Sequence, residues 1–210
     1  MAAGRSGRTR RMALVNLGPV CGLLASMSFL VGFLVAILLD PGWRVGAFWL
    51  SDLGVRQGAW AYNTGVVLGG LLTIPFALSA RHLLAPGRLT RLGSTLFVVA
   101  GIAQVGVGVF TEHTPAMHLV FAFVLFTAVP LGWIVLALPM HRTPAFGGFG
   151  GVLSLIALGI VLVAGRVTNR FTAEAIGVFT AVAWAILVSA VLLLRHPAVP
   201  PPKGLSAPPA

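Results

Sequence analysis

The sequence predicts an all-α membrane protein, a bundle of six transmembrane helices with both termini on the cytoplasmic side. Three observations carry that expectation. Of the 210 residues, 58% are apolar and 9% are charged, far below the roughly one-quarter charged that soluble domains contain. Six apolar runs reach or approach the ~20 residues needed to cross a hydrocarbon core of ~30 Å at a rise of ~1.5 Å per residue. Finally, the basic residues divide unevenly between the connectors, and lysine and arginine are retained on the cytoplasmic side during insertion.

The runs cover about residues 14–39, 62–80, 92–110, 117–138, 149–165 and 175–194. They set out a basic cytoplasmic N-terminus at 1–11, a six-helix domain at 12–194 and a Pro-rich, extended or disordered cytoplasmic tail at 195–210. The first run follows Arg5, Arg8, Arg10 and Arg11. It is too long for the apolar region of a secretory signal and reads as a retained anchor helix. Numbering the connectors alternately places Arg5, Arg8, Arg10, Arg11, Arg81, Arg88, Arg91, Arg142, Arg195 and Lys203 on one side, and only Arg44, Arg56, Arg166 and Arg170 on the other. The first side is therefore expected to be cytoplasmic, in the cell (plasma) membrane. All four acidic residues, Asp40, Asp52, Glu112 and Glu174, then fall at the outer face.

The net charge of +10 is accounted for by this asymmetry, so no nucleic-acid partner is expected. The single cysteine, Cys21, lies inside the first run and can form neither an intramolecular disulfide nor a cysteine metal cage. The first outer connector carries Trp43, Phe48, Trp49, Trp60 and Tyr62, as a segment folded back onto the headgroup layer would. Small residues recur at four-residue spacing in Gly18, Gly22 and Ser26, in Gly65 and Gly69, and in Gly147 and Gly151. Such stripes let helices approach closely, either within one chain or across a homo-oligomer seam at Gly65/Gly69 or Gly18/Gly22.

Chemistry concentrates at the outer connectors. In Thr111-Glu112-His113-Thr114-Pro115-Ala116-Met117-His118, Thr114 and Pro115 read as the N-cap and first position of helix four, which puts His118 in its opening turn. His118 there is a candidate metal ligand or proton acceptor, with Asp52, Glu112 or Glu174 as carboxylate partners. The two histidines lack the His-Glu-x-x-His spacing of a helical zinc site, so no cofactor is predicted, and zinc on His118 and Asp52 is a secondary expectation. Ser51-Asp52-Leu53-Gly54 reads as a turn whose side chains satisfy free backbone donors, unless Asp52 turns inward toward His118. Asn63 should face the bundle interior and find a partner. Arg166 and Arg170 are expected either to grip a phosphate or carboxylate headgroup or to act as interfacial anchors, with Glu174 at helical spacing from Arg170.

The mid-depth residues are almost free of ionisable groups, with only Gln104, Ser28, Ser154, Thr127 and Ser189 scattered there. This disfavours a pump or ion-coupled carrier. His82 and His141 sit at cytoplasmic helix ends and do not oppose His118, which disfavours bound haem.

Several of these stretches resemble a prokaryotic membrane family of unknown function, domain of unknown function 998. The resemblance rests on Ser51-Asp52-Leu53-Gly54, on Asn63 with Gly65 and Gly69, on Gly106-Val107-Gly108-Val109-Phe110 with Glu112, and on His118 and the Arg170 region. That family is distantly similar to the Frag/DRAM-like six-helix proteins of eukaryotes, which include autophagy modulators and a factor acting on lipid anchors. The resemblance implies membrane lipids as the general subject and implies no defined reaction. The leading expectation is a protein that binds or senses a lipid headgroup or small amphiphile through Asp52, Asn63, Glu112, His113, His118, Arg166 and Arg170. Alternatives are a metal-assisted or acid/base lipid hydrolase with His118, Asp52 and Glu112 as its catalytic groups, and a structural assembly partner of another membrane protein.

Overall fold

The computed structural model describes residues 3–195, and the side chains of residues 17–195. The expected Pro-rich tail beyond Arg195 and the side chains of Arg5, Arg8, Arg10 and Arg11 lie outside the described residues. Six helices carry the chain: α1 (Ala3–Leu39), α2 (Ala59–Leu83), α3 (Arg88–Val109), α4 (Pro115–Arg142), α5 (Gly150–Val167) and α6 (Arg170–Arg195). Each contains a stretch long and apolar enough to cross a membrane, that of α1 being Leu17–Leu39.

Large apolar side chains point outward along the bundle, including Val31, Leu119, Phe123 and Leu162, each more than half exposed. Such a surface is costly in water and favourable against lipid. Each helix packs chiefly on its neighbours in sequence, and α1 against α6 closes the series into a ring. The ring is drawn tight where glycines face backbone. Gly32 of α1 opposes Gly65 of α2, and Gly70 of α2 opposes Gly101 of α3, the close approach that small residues permit in a bilayer.

These contacts decide between the two uses expected of the glycine stripes. A Cβ on Gly18 would strike Ser79, one on Gly22 would strike Ser189 and Phe76, one on Gly65 the Ser28 carbonyl, and one on Gly69 the Gln104 amide. Both stripes are consumed inside the chain, so neither is free to form a homo-oligomer seam. Gly147, expected on a helix face, instead sits in the turn before α5 with φ +54°, a left-handed conformation that suits glycine.

Two apolar clusters close the ring at different depths. One, toward the α1–α2 connector, gathers Phe29, Phe33, Trp43, Leu50, Leu53, Tyr62 and Ala175. The other, toward the opposite end, gathers Phe76, Phe97, Trp133, Leu136, Met140, Phe146 and Trp184, with the Phe97 and Trp184 rings stacked at 5.0 Å.

The 40–58 connector, expected to fold back onto the headgroup layer, packs onto the end of the bundle. It caps the bundle: Leu50 and Leu53 are 1% and 0% exposed, Trp43 is buried, and the indole N–H of Trp43 donates to the Trp49 carbonyl at 3.0 Å. Trp60, at the start of α2, keeps an exposure of 68%, as a headgroup contact needs. The physical reason is that the apolar residues between the aromatics have a dry pocket to fill at the ring's end.

Candidate functional site

The cap is pinned by polar contacts that span the chain. Asp40, 4% exposed, is paired with the Arg56 guanidinium, whose second nitrogen donates to Asp40 Oδ1 at 3.1 Å. That cation beside it holds the Asp40 carboxyl below its ordinary range. A short 3-10 turn, Ser51–Val55, follows. The Trp49 amide donates to Asp52 Oδ2 at 2.8 Å, the local satisfaction expected of an aspartate in a turn. Asn63 Nδ2 donates to the Gly54 carbonyl at 2.8 Å, the partner its position called for. The Leu50 amide donates to Glu174 Oε2 at 2.7 Å, and Asn169 Nδ2 donates to the Gly46 carbonyl at 3.1 Å, tying the cap to the start of α6.

Two polar side chains arrive from the α3–α4 connector. Helix α4 begins at Pro115 with Thr114 as N-cap residue, although the Thr114 hydroxyl donates backward to the Thr111 carbonyl and caps no helical amide. His118 is therefore in the first turn, with Nδ1 2.9 Å from the Phe110 carbonyl oxygen. A carbonyl can only accept, so Nδ1 carries the proton and Nε2 is the nitrogen left for other partners. Glu112 lies within hydrogen-bonding reach of the Ser51 hydroxyl and the Asp52 carboxyl and within the field of His118. Burial pushes the Glu112 carboxyl above its usual value; Ser51 opposes that shift, and the Asp52 carboxyl adds to it.

Below this cluster the ring encloses a cavity of about 170 Å³ lined by residues from all six helices and by Ser51 of the cap. His118, Glu174, Ser51 and Tyr62 stand at its cap end. Its wall is formed by such residues as Phe29, Val66, Val107, Leu125, Phe126 and Val182, and Trp133 lies at its far end. His118 and Trp133 are fifteen residues apart on α4, which sets the length at about 22 Å by the helical rise. Three polar residues on the wall are committed locally: Ser26 donates to the Gly22 carbonyl, Thr73 to Gly69 and Gln104 to Val66. The sleeve is thus apolar along its length and polar at the cap. At the far end the buried indole N–H of Trp133 has no hydrogen-bond partner among the described residues.

The structure brings together Asp52, Glu112 and His118 of the expected site residues, with Asn63 of α2 bonded to the adjoining turn. It does not bring in the others. His113 and Arg166 are exposed. Arg170 lies over the rings of Trp49 and Phe171 at 5.4 and 5.1 Å, and its expected partner Glu174 takes the Leu50 amide. Asp52 turns to the backbone and to Glu112 and does not line the cavity. Among the described residues no three His, Cys, Asp or Glu side chains gather in a group that could hold a metal ion, so the zinc expectation on His118 and Asp52 finds no assembled donor set. Ser51 and Tyr62 were not expected as site residues, and Glu174 was expected only as one possible carboxylate partner of His118. A signal existed for Glu174, an acid one turn into an apolar helix.

Fold and site together define a polytopic helical membrane protein with an internal cavity, polar at one end and apolar along its length. Residues 23–191 match the model of a family described as a protein of unknown function, DUF998, and the chain belongs to that family. No curated protein and no solved structure matches it.

Proposed function

We propose that this protein binds a single-chain amphiphile inside the bundle, polar group at Ser51, His118 and Glu174 and chain along the apolar sleeve. The carrying observation is the cavity itself: about 170 Å³ in all, drawn out over some 22 Å at the helical rise. A lining of that length, apolar from Phe29 to Trp133 and polar at one end, suits an extended alkyl chain. Ligand sites of this kind pair a mostly apolar lining with a few convergent polar groups. The loop asymmetry in lysine and arginine supports an orientation with both termini in the cytoplasm, which places the polar end at the outer leaflet of the cell membrane.

The test is quenching of tryptophan fluorescence by a bromine-labelled hexadecyl alcohol, with the protein in phosphatidylcholine nanodiscs. Trp133 should be quenched in the wild type. Ala181→Phe and Ala122→Leu, which fill the sleeve from two walls, should abolish the quenching with the thermal midpoint retained. Equal quenching in the wild type and both folded variants overturns the reading.

A second reading, acid–base hydrolysis of a lipid ester, is favoured by one observation: a carboxyl of raised proton affinity, Glu112, stands beside Asp52 and within the field of His118. It requires turnover. Release of fatty acid from an ester amphiphile by the wild type and its loss in His118→Ala would support it, and no release would leave binding alone.

A further inference from the structure

The charge around the cavity mouth carries the proposal one step further, to the class of headgroup; the step rests on the cavity reading above. Three carboxyl groups meet there. Asp52 and Glu112 are in hydrogen-bonding reach of each other, and both act electrostatically on Glu174, which lines the cavity. Of the four arginines at the same end, Arg56 is held by Asp40 and by the face of Phe48, Arg170 lies over Trp49 and Phe171, and Arg44 and Arg166 are exposed. None of them lines the cavity, and among its described lining residues His118 is the only basic one. A phosphate or carboxylate headgroup placed at this mouth meets the Glu174 carboxyl, with Asp52 and Glu112 behind it, and no guanidinium among the described lining residues.

A cation meets the opposite. Glu174 offers a carboxyl group that accepts the Leu50 amide on Oε2 and has the Ser51 amide beside it, which leaves acceptor capacity on its two oxygens. Just inside the mouth, Phe29 and Tyr62 approach edge to face at 6.2 Å and both line the cavity. Aromatic faces attract ammonium groups, more strongly when water is excluded. The sleeve beneath is apolar, as an alkyl chain requires.

We infer that the ligand is a long-chain amine, a single alkyl chain ending in an ammonium group that sits between Glu174 and the Phe29/Tyr62 pair.

Three probes with the same hexadecyl chain separate the possibilities: hexadecylamine, hexadecanol and hexadecyl phosphate, each competing with the bromine-labelled alcohol in neutral phosphatidylcholine nanodiscs. The amine should compete about tenfold or more better than the alcohol, the size of one charge-assisted hydrogen bond, and the phosphate should compete worst. Glu174→Gln should bring amine and alcohol to parity. Because Glu174 also holds the Leu50 amide, Glu112→Gln is the second variant; it lies off the helices and should shrink the preference while the fold is kept. A phosphate or alcohol that competes as well as the amine overturns the headgroup assignment and leaves the cavity reading standing. Failure of all three probes, with no quenching to displace, overturns both.

Discussion

Gly32 and Gly65 oppose each other across the α1–α2 seam so closely that a Cβ on Gly65 would lie 2.6 Å from the Ser28 carbonyl oxygen and 3.1 Å from the Gly32 Cα. Both obstacles are backbone and cannot rotate away. Gly65→Ala should therefore force the two helices apart and destabilise the monomer by about 1–3 kcal/mol, the usual cost of overpacking. Gly159→Ala is the control, since nothing stands within 4 Å of a Cβ there; it should leave stability unchanged or raise it by up to ~1 kcal/mol through helix propensity. Thermal unfolding in detergent, read beside size-exclusion chromatography, checks this. A Gly65→Ala protein that stays fully stable and only changes its oligomeric state would contradict the intrachain seam.

The ring of helices was legible in the sequence because a bilayer imposes one length and one polarity on every span; runs such as 117–138 have few other uses. The cap was not. Leu50 and Leu53 look like ordinary loop residues, and nothing in their spacing announces that the connector returns over the bundle and meets Glu174 at a separation of 124 positions. Half of the site was legible for a related reason. Glu112 and His118 are neighbours along the chain and share one connector, whereas Glu174 and Tyr62 join them only through ring closure. Arg170 misled because a guanidinium near a membrane surface suggests a phosphate, while here two aromatic rings of the cap and α6 occupy its face.

The Asp40–Arg56 pair anchors the first half of the cap, and its electrostatics fix a sign. The folded Asp40 carboxyl has its proton affinity lowered, first by the hydrogen bond from Arg56. Its stabilising contribution is therefore present above the unfolded aspartate value of about 3.9 and is lost as pH falls through the lower folded value. Asp40→Asn should lower the thermal midpoint at neutral pH, and the gap to wild type should close in strong acid. Circular dichroism melts in detergent across that range measure it; a gap independent of pH would mean the ion pair is not what holds Asp40.

Glu112 shows the opposite sign. Burial, with Asp52 beside it, raises its folded proton affinity, so its contribution is complete below the unfolded glutamate value of about 4.3 and is lost as pH rises through the folded value. Glu112→Gln keeps a neutral group able to donate to Asp52. The variant should match wild type in acid and become the more stable of the two as pH rises past that point. Parallel melting curves at every pH would show that the carboxyl is not strained in the folded protein.

Trp133 gives a prediction in which removing a polar atom helps. Its ring is 1% exposed, packed near Trp184 with ring centroids 6.3 Å apart, yet its indole N–H has no partner among the described residues. A buried donor left unpaired costs about 1–3 kcal/mol, whereas the smaller ring of phenylalanine sacrifices some packing and leaves a modest void. The two effects oppose each other at similar size. Trp133→Phe should accordingly come out within about 1 kcal/mol of wild type, and Trp133→Ala, which forfeits the ring altogether, should lose about 3–5 kcal/mol. Chemical unfolding of both variants in mixed micelles separates the cases. A Trp133→Phe loss as large as the alanine loss would mean that the indole nitrogen is bonded in the membrane-embedded protein, with a water or a ligand acceptor at the floor of the sleeve as its partner.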